Sequence, residues 1–358
     1  MKRSSSALNR RAFVSKGLKL AAGSAIASSS LMSISGARAA TAAGFQLSWI
    51  KSGQYSGYFA GIEKGYYADA GLDMTFNSGG PNIDPVANVA AGQSAFGDRP
   101  FGGIVLAREK GMPIKLIGSV FQRNPFAIFS MPDKPIRTIA DLPGKTISVT
   151  TSVRPLLANM FASKGIDPKS VNMIPAGPDP SALINKQTDG YVGYETNQGV
   201  MLRIQGYPIV ILGLHDLGLP ETTGNIYARE DFLAANKPVA VAFLRAAAKG
   251  WKWTIDNPEA MTKLMVEKYG VSGLDPKAVL AEIQASGPFI NYGIAERQGL
   301  LSVDMALADS LLDTYRKAGL IKSDMKATDL CDPQFAIAAQ EALGLWHEDF
   351  WLRACRKI

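Results

Sequence analysis

Residues 45–76 read FQLSWIKSGQYSGYFAGIEKGYYADAGLDMTF. The stretch predicts a short strand over residues 45–50 and a polar turn at Lys51-Ser52-Gly53-Gln54. Tyr55, Tyr58, Phe59, Ile62 and Tyr66 then recur at three- and four-residue steps, which puts them on one face of a helix. Gly71 is placed to end that helix, because glycine tolerates the positive φ of a C-terminus, and residues 72–76 read as the next strand. Strand, helix, strand with tight connections is a βαβ unit, and such units build parallel sheets. Ligands of open α/β sheets sit beyond the carboxyl ends of the strands. Here that place carries Trp49, Lys51, Gln54 and Tyr55, which can stack on and hydrogen-bond to a small molecule; Trp49 and Tyr55 also suit a packed core.

The N-terminus reads as an address. Seven cations lie before residue 40 and the first acid is Glu63. Asn9-Arg10-Arg11-Ala12-Phe13-Val14 resembles a twin-arginine export signal, and an apolar run rich in Ser, Gly and Ala follows to about Ser35. Ala37-Arg38-Ala39 is a small-x-small cleavage site, so residues 1–39 are expected to be a signal peptide cut after Ala39. The run is broken by Gly and Ser and falls short of the roughly 20 apolar residues that span a bilayer. Without this segment the 38 Lys and Arg fall to 31, equal to the 31 Asp and Glu. The net charge of +7 therefore belongs to the signal, and no basic stripe with interleaved aromatics points to nucleic acid. Cutting after Ala39 leaves 319 of the 358 residues, enough for two lobes.

The two cysteines, Cys331 and Cys355, lack metal-type spacing, and the two histidines, His215 and His347, lie far apart. A disulfide stapling the C-terminal tail and a pair of buried thiols both fit. Nothing resembles a P-loop or a dinucleotide fingerprint, and no cofactor is expected.

Beyond Phe76 the first α/β pattern continues through a turn-rich loop with Gly79-Gly80, a helix near 84–91, a short strand ending at Asp98, a helix over 100–110 and apolar strands over 114–120 and 126–130. From Ile136 the pattern begins afresh: a strand at 146–149, a helix opened by Thr150-Thr151-Ser152, further strands near 171–174, 190–192 and 208–212, and a helix over 195–205. Residues 225–229 read as a strand returning to the first lobe, and the remainder is mostly helical cover.

Several segments resemble one known family in order along the chain. Gly65-Tyr66-Tyr67-Ala68-Asp69-Ala70-Gly71-Leu72-Asp73 is similar to the GYF-x-x-x-GLDV signature of periplasmic binding proteins that serve ABC importers of thiamine pyrimidine precursors, riboflavin, alkanesulfonates, taurine and nitrate. Residues 92–97 (GQSAFG), Ala107-Arg108 to Pro113, and Asp141-Leu142-Pro143-Gly144-Lys145 match further steps of that pattern. GYVGYETNQ at 190–198 resembles the DA-x-x-GY-x-TNE segment of the pyrimidine and flavin branch, and residues 238–258 resemble a later helix. The departures are Gly190, which stands where the branch has Asp although Asp189 precedes it, and Gln198, which stands where Glu is common. Gln keeps an acceptor and loses the charge.

The resemblance implies an α/β fold of two lobes, the type II periplasmic-binding-protein fold, with two crossover strands near residues 131–135 and 213–225 and the ligand in the interlobe cleft. Lobe 1 is then 40–131 plus 225–358, and lobe 2 is 132–224. The cleft would draw Trp49, Gln54 and Tyr55 from the first loop, Asp98 and Arg99 from the third strand end, and Gln122, Arg123 and Asn124 from the fourth. Lobe 2 would offer Thr151, Ser152 and Arg154 at a helix N-terminus suited to an anion, with Tyr194, Glu195 and Asn197 from the matching segment. In this reading Trp49, Tyr55 and Tyr194 stack on a planar ring, Glu195 and Asn197 pair with its edge, and Arg123 or Arg154 meets a carboxylate or phosphate. Structural roles compete for the same residues: Thr151 and Ser152 as caps, Arg123 and Arg154 as solvated charges, Glu195 paired with Arg203, Asp98 ordering its loop, and Gly79-Gly80 as a plain turn.

The expected function is an extracytoplasmic solute-binding component that closes over a small molecule and hands it to an ABC permease in the inner membrane. The protein is expected to be periplasmic, monomeric and without enzymatic activity. The fold also resembles a pyrimidine-forming synthase that needs active-site His and Lys, and lobe closure equally serves a periplasmic sensor. A planar heterocycle, similar to a thiamine pyrimidine precursor or riboflavin, ranks ahead of a sulfonate, nitrate or aromatic carboxylate.

Overall fold

The computed structural model describes residues 40–80, 83–151, 153–177 and 179–343. The proposed signal peptide, Ser152, His347 and Cys355 lie outside the described residues, as does any pairing of Cys355 with the buried Cys331.

Among the described residues, ten strands form two five-stranded sheets. The first contains β1 (Thr41–Gln46), β2 (Leu72–Asn77), β3 (Phe96–Arg99), β4 (Ile114–Phe121) and β10 (Thr223–Arg229), in the order β2-β1-β3-β10-β4. The second contains β5 (Phe126–Ser130), β6 (Thr146–Val149), β7 (Asn172–Pro175), β8 (Gly190–Tyr194) and β9 (Val210–Gly213), in the order β7-β6-β8-β5-β9. The two orders are the same plan. Three parallel strands come first, and one antiparallel strand then separates them from the fifth. In each sheet that antiparallel strand is the one with which the chain arrives from the other sheet.

This pairing moves one expected boundary. Phe126–Ser130 is buried along its length and pairs with β8 and β9, so the first crossing between sheets falls at residues 122–125, ahead of the expected 131–135. The return falls at 214–222.

Strand β1 also ends earlier than its apolar run suggested. It stops at Gln46; Leu47 still bonds through its N–H to the Asn77 carbonyl (3.0 Å), but the Ser48 N–H is taken by the Asp98 carboxylate (2.8 Å). Trp49 thus stands in the loop. Tyr55 belongs to a 3₁₀ turn (Gly53–Tyr55) leading into the helix Ser56–Glu63, and Gly65, with φ of 71°, breaks the expected continuous helix before a separate turn at Tyr66–Asp69.

The first lobe's core is aromatic. Phe96 stacks on Phe243 with centroids 4.5 Å apart, and Phe45 lies 4.9 Å from Tyr58. The helix Ser56–Glu63 crosses the long helix Lys237–Asp256 at Gly57 and Gly250. A Cβ on Gly57 would run into the Trp251 ring, and one on Gly250 into the Gly57 carbonyl oxygen, so two glycines are what lets these helices touch. Among the described residues no helix is long and apolar enough to cross a membrane.

Candidate functional site

The carboxyl ends of the parallel strands of both sheets face a common cavity of about 200 Å³. From the first sheet it is lined by Ser48, Trp49 and Gln54 beyond β1, Gly80 beyond β2, and Arg99 and Pro100 at the end of β3. From the second come Thr150 and Thr151 beyond β6, Pro175 and Ala176 at the end of β7, Tyr191–Tyr194 of β8, Gln198 and Phe126. This is where an open α/β sheet puts its ligand.

Asp98 organises the first side. Its carboxylate is buried and accepts from the Ser48 N–H (2.8 Å) and the Ser48 hydroxyl (2.7 Å). The Ser48 hydroxyl lies 3.0 Å from the Tyr55 hydroxyl, which accepts from Gln54 Nε2 at 3.2 Å. Burial pushes the Asp98 carboxyl up to about 6, held from going higher by the two Ser48 bonds and the Arg99 charge. Tyr55 therefore stands behind the cavity wall, fully buried, where it orients Gln54 and Ser48. Gly79 serves the same wall by close approach: a Cβ there would collide with the Leu47 carbonyl oxygen, and its N–H donates to the Trp49 carbonyl at 2.9 Å.

Trp49, Gln54, Arg99, Thr151 and Tyr194 line the cavity as the sequence suggested. Arg99 is the cation among the described lining residues, and it is ion-paired with Asp84 at 2.8 Å. The Tyr194 ring packs edge-on against Phe126, centroids 4.6 Å apart, and burial raises its phenol above the ordinary range.

Gln122, Asn124 and Arg123, expected at the site, hold the scaffold. Gln122 donates to the carbonyls of Ser119 and Ser302, both at 2.8 Å. Asn124 ties the two crossings together, donating to the Leu219 carbonyl (2.9 Å) and accepting from the Phe126 N–H (3.0 Å). Arg123 pairs with Asp216 at 3.0 Å and lies over the rings of Phe289 and Tyr292, so it pins the crossings to the first lobe. Arg154 is exposed and does not line the cavity, and the N–H groups of Val153 and Arg154 both donate to the Thr150 carbonyl (3.1 Å each). Those two donors are thereby withdrawn from the anion-binding role expected of this helix end. Glu195 donates its N–H to the Pro125 carbonyl at 2.7 Å, and its carboxylate takes no part in the lining or in an ion pair with Arg203 among the described residues.

Asn197 turns away from the cavity to Glu282, on the helix Pro276–Ile290 of the first lobe. Glu282 also accepts from the Ser52 hydroxyl (3.2 Å) and faces the N–H groups of Gly53 and Gln54; burial lifts its carboxyl to about 7. Ser48, Phe126, Tyr191 and Gln198 are lining residues that sequence reasoning missed. Gln198 could have been found, since it lies one helical turn past Tyr194 in the GYVGYETNQ segment. Phe126 could not, because its place depends on where the chain changes sheets.

Two sheets of this plan with a cavity at their strand ends define the fold of periplasmic binding proteins. The periplasmic nitrate-binding protein NrtA from Synechocystis PCC 6803 is similar with a TM-score of 0.63 at 15% identity, over 86% of this chain and 90% of that one. The chain belongs to the NMT1/THI5-like family, whose model matches residues 52–261. It is 27% identical over 285 residues to riboflavin-binding protein RibY of Chloroflexus aurantiacus, covering 77% of this chain and 81% of the relative. It is 26% identical over 228 residues to the formylaminopyrimidine-binding protein of Halalkalibacterium halodurans, covering 62% and 69%.

Proposed function

We propose that this chain is the extracytoplasmic solute-binding component of an ABC importer, exported by the signal at residues 1–39 and cut after Ala39. It binds a small planar heterocycle, pyrimidine- or flavin-like, by closure of two lobes about the crossings at 122–125 and 214–222, and delivers it as a monomer to an inner-membrane permease. The observation that carries this reading is the cavity itself: aromatic side chains Trp49 and Tyr194 stand in its walls with the buried amides of Gln54 and Gln198. Ring burial with a few convergent polar groups is how small-molecule sites gain affinity and orientation. The relatives named for riboflavin and formylaminopyrimidine support the same class.

A sulfonate or nitrate is served less well. Arg99 is already neutralised by Asp84, and the N–H groups of Val153 and Arg154 are already bonded. Catalysis is not part of the proposal: His215 packs edge-on against Tyr292 beside Arg123, away from the cavity. The test is native mass spectrometry of mature protein taken from its own periplasm, followed by thermal-shift screening of the stripped form. Stabilisation by riboflavin or a pyrimidine supports the reading, and stabilisation by sulfonates or nitrate alone overturns it.

A further inference from the structure

Two side-chain amides among the described residues line the cavity, Gln54 and Gln198; both are more than nine-tenths buried, and each has its orientation dictated by a neighbour with no choice of role. Gln198 accepts through Oε1 from the Tyr194 N–H at 2.9 Å. A backbone N–H only donates, so the carbonyl end of Gln198 must face it and the NH₂ end is turned the other way. That Nε2 donates to none of the described residues. Gly193 makes the fit, since a Cβ there would lie 2.9 Å from Gln198 Oε1.

Gln54 is set by a longer chain of necessity. Both oxygens of the buried Asp98 carboxylate face donors of Ser48, the N–H at Oδ1 and the hydroxyl at Oδ2, and a carboxylate accepts only. Ser48 must spend its one hydroxyl hydrogen on Asp98 Oδ2 (2.7 Å), which leaves its oxygen an acceptor. Tyr55 must then donate to Ser48 (3.0 Å), which leaves the phenol oxygen an acceptor toward Gln54. Gln54 can meet it only with Nε2 (3.2 Å), so Oε1 is turned away from Tyr55 and accepts from none of the described residues.

We propose that the cavity reads a ring edge with these two amides of opposite, fixed polarity: Gln54 accepts through Oε1, Gln198 donates through Nε2, and Asp98 sets the orientation of Gln54 through Ser48 and Tyr55. The cavity therefore selects heterocycles whose edge carries one N–H donor and one acceptor, either a ring lactam or an amino group beside a ring nitrogen. This rests on the heterocycle reading above and narrows it. An edge of acceptors alone leaves Gln54 Oε1 facing lone pairs. Asp98, Ser48 and Tyr55 are positioning residues, and Gln54 and Gln198 are the contacts.

Methylating the ligand nitrogen removes the donor. Calorimetric titrations of the stripped mature protein should compare riboflavin with 3-methylriboflavin, and 4-amino-5-hydroxymethyl-2-methylpyrimidine with its 4-dimethylamino form. Whichever parent binds identifies the lactam or the amino edge, and its methylated form should bind about tenfold more weakly, the cost of an acceptor left buried without a donor. In Asp98→Asn the introduced amide can donate to Ser48, Ser48 to Tyr55 and Tyr55 to Gln54 Oε1, which reverses the chain and turns the Gln54 NH₂ toward the ligand. Discrimination between parent and methylated form should then shrink to about threefold or less, and likewise in Gln54→Met, which keeps the fold should Asp98→Asn not. Equal affinity for a parent and its methylated form overturns the inference, as does a preference that both substitutions leave unchanged. If neither parent binds, the heterocycle reading falls first and takes this inference with it.

Discussion

Asn197 and Glu282 meet between the two lobes. The side-chain amide of Asn197, just past β8 of the second sheet, donates to the carboxylate of Glu282 on a helix that packs on the first. The same carboxylate holds the Ser52 hydroxyl, so one buried acid joins the loop that carries Gln54 to the opposite lobe. Asn197→Asp is expected to set two carboxylates against each other and loosen this contact. Small-angle scattering of the ligand-free protein at pH 8 should give a larger radius of gyration than wild type, with Asn197→Ala in between. Identical curves for all three would show that the contact does not hold the lobes together.

Stability is expected to rise as pH falls from 8 to about 5. Burial raises the carboxyls of Glu282 and Glu221 to about 7 and that of Asp98 to about 6, above their unfolded values of 4.5 and 3.8. Over that window the folded state binds more protons than the unfolded, so acidification favours folding; raising one carboxyl's pKa by a single pH unit is worth about 1.4 kcal/mol. His215 works the other way: its lowered pKa costs stability below 6.5, but it is one half-buried group against three buried ones. Urea denaturation at pH 5, 6, 7 and 8 measures the slope, and a midpoint that falls steadily toward pH 5 contradicts the account.

The crossing of Ser56–Glu63 with Lys237–Asp256 leaves no room for a methyl group at Gly250. Gly250→Ala should destabilise by about 1–3 kcal/mol, the range of overpacked cores. The helix gain of alanine over glycine, about 1 kcal/mol, opposes this and is too small to reverse it. A urea midpoint equal to wild type would mean the helices can part without cost.

Trp49 and Arg123 separate ligand contacts from scaffold. Trp49→Ala should weaken binding of the stabilising heterocycle by about tenfold or more, through lost ring contact. Arg123→Ala should lower the melting temperature, through loss of the Asp216 pair and of packing on Phe289 and Tyr292, and leave affinity within about twofold. Calorimetry with the ligand found by screening checks both, and a large affinity loss in Arg123→Ala would restore it to the binding site.

Local chemistry was legible in the sequence wherever the decisive interaction was close by. The βαβ unit read over 45–76 is present over 41–77, with β1 four residues earlier than expected and the helix broken at Gly65; Gly71 ends its helical part with φ of 73° as expected of a C-terminal glycine. Trp49, Gln54 and Tyr194 reach the cavity because strand ends deliver them there. Where the partner is distant, the sequence is silent. Gln122 is claimed by Ser302, and Asn197 by Glu282, across 180 and 85 residues. Phe126–Ser130 is an apolar strand buried throughout, and such a strand reads the same whichever sheet it joins. Tyr55 shows a subtler gap: an aromatic at a strand end can touch the ligand or stand one layer behind it, and only the Ser48 and Gln54 bonds reveal which.

The antiparallel strand in each sheet has a consequence for the order in which the chain acquires structure. All strands of the second sheet lie within residues 126–213, whereas the first sheet needs β10 between β3 and β4 before it is complete. A chain emerging from the ribosome can close its second lobe while the first still waits, with β4 lacking its neighbour, for residues 223–229. Pairing over so long a separation is slow. Pulse-labelled hydrogen exchange during refolding is therefore expected to protect β5, β6 and β8 before β3 and β4. Such a delay would also give chaperones their longest-lived target in the half of the protein that carries Trp49 and Gln54.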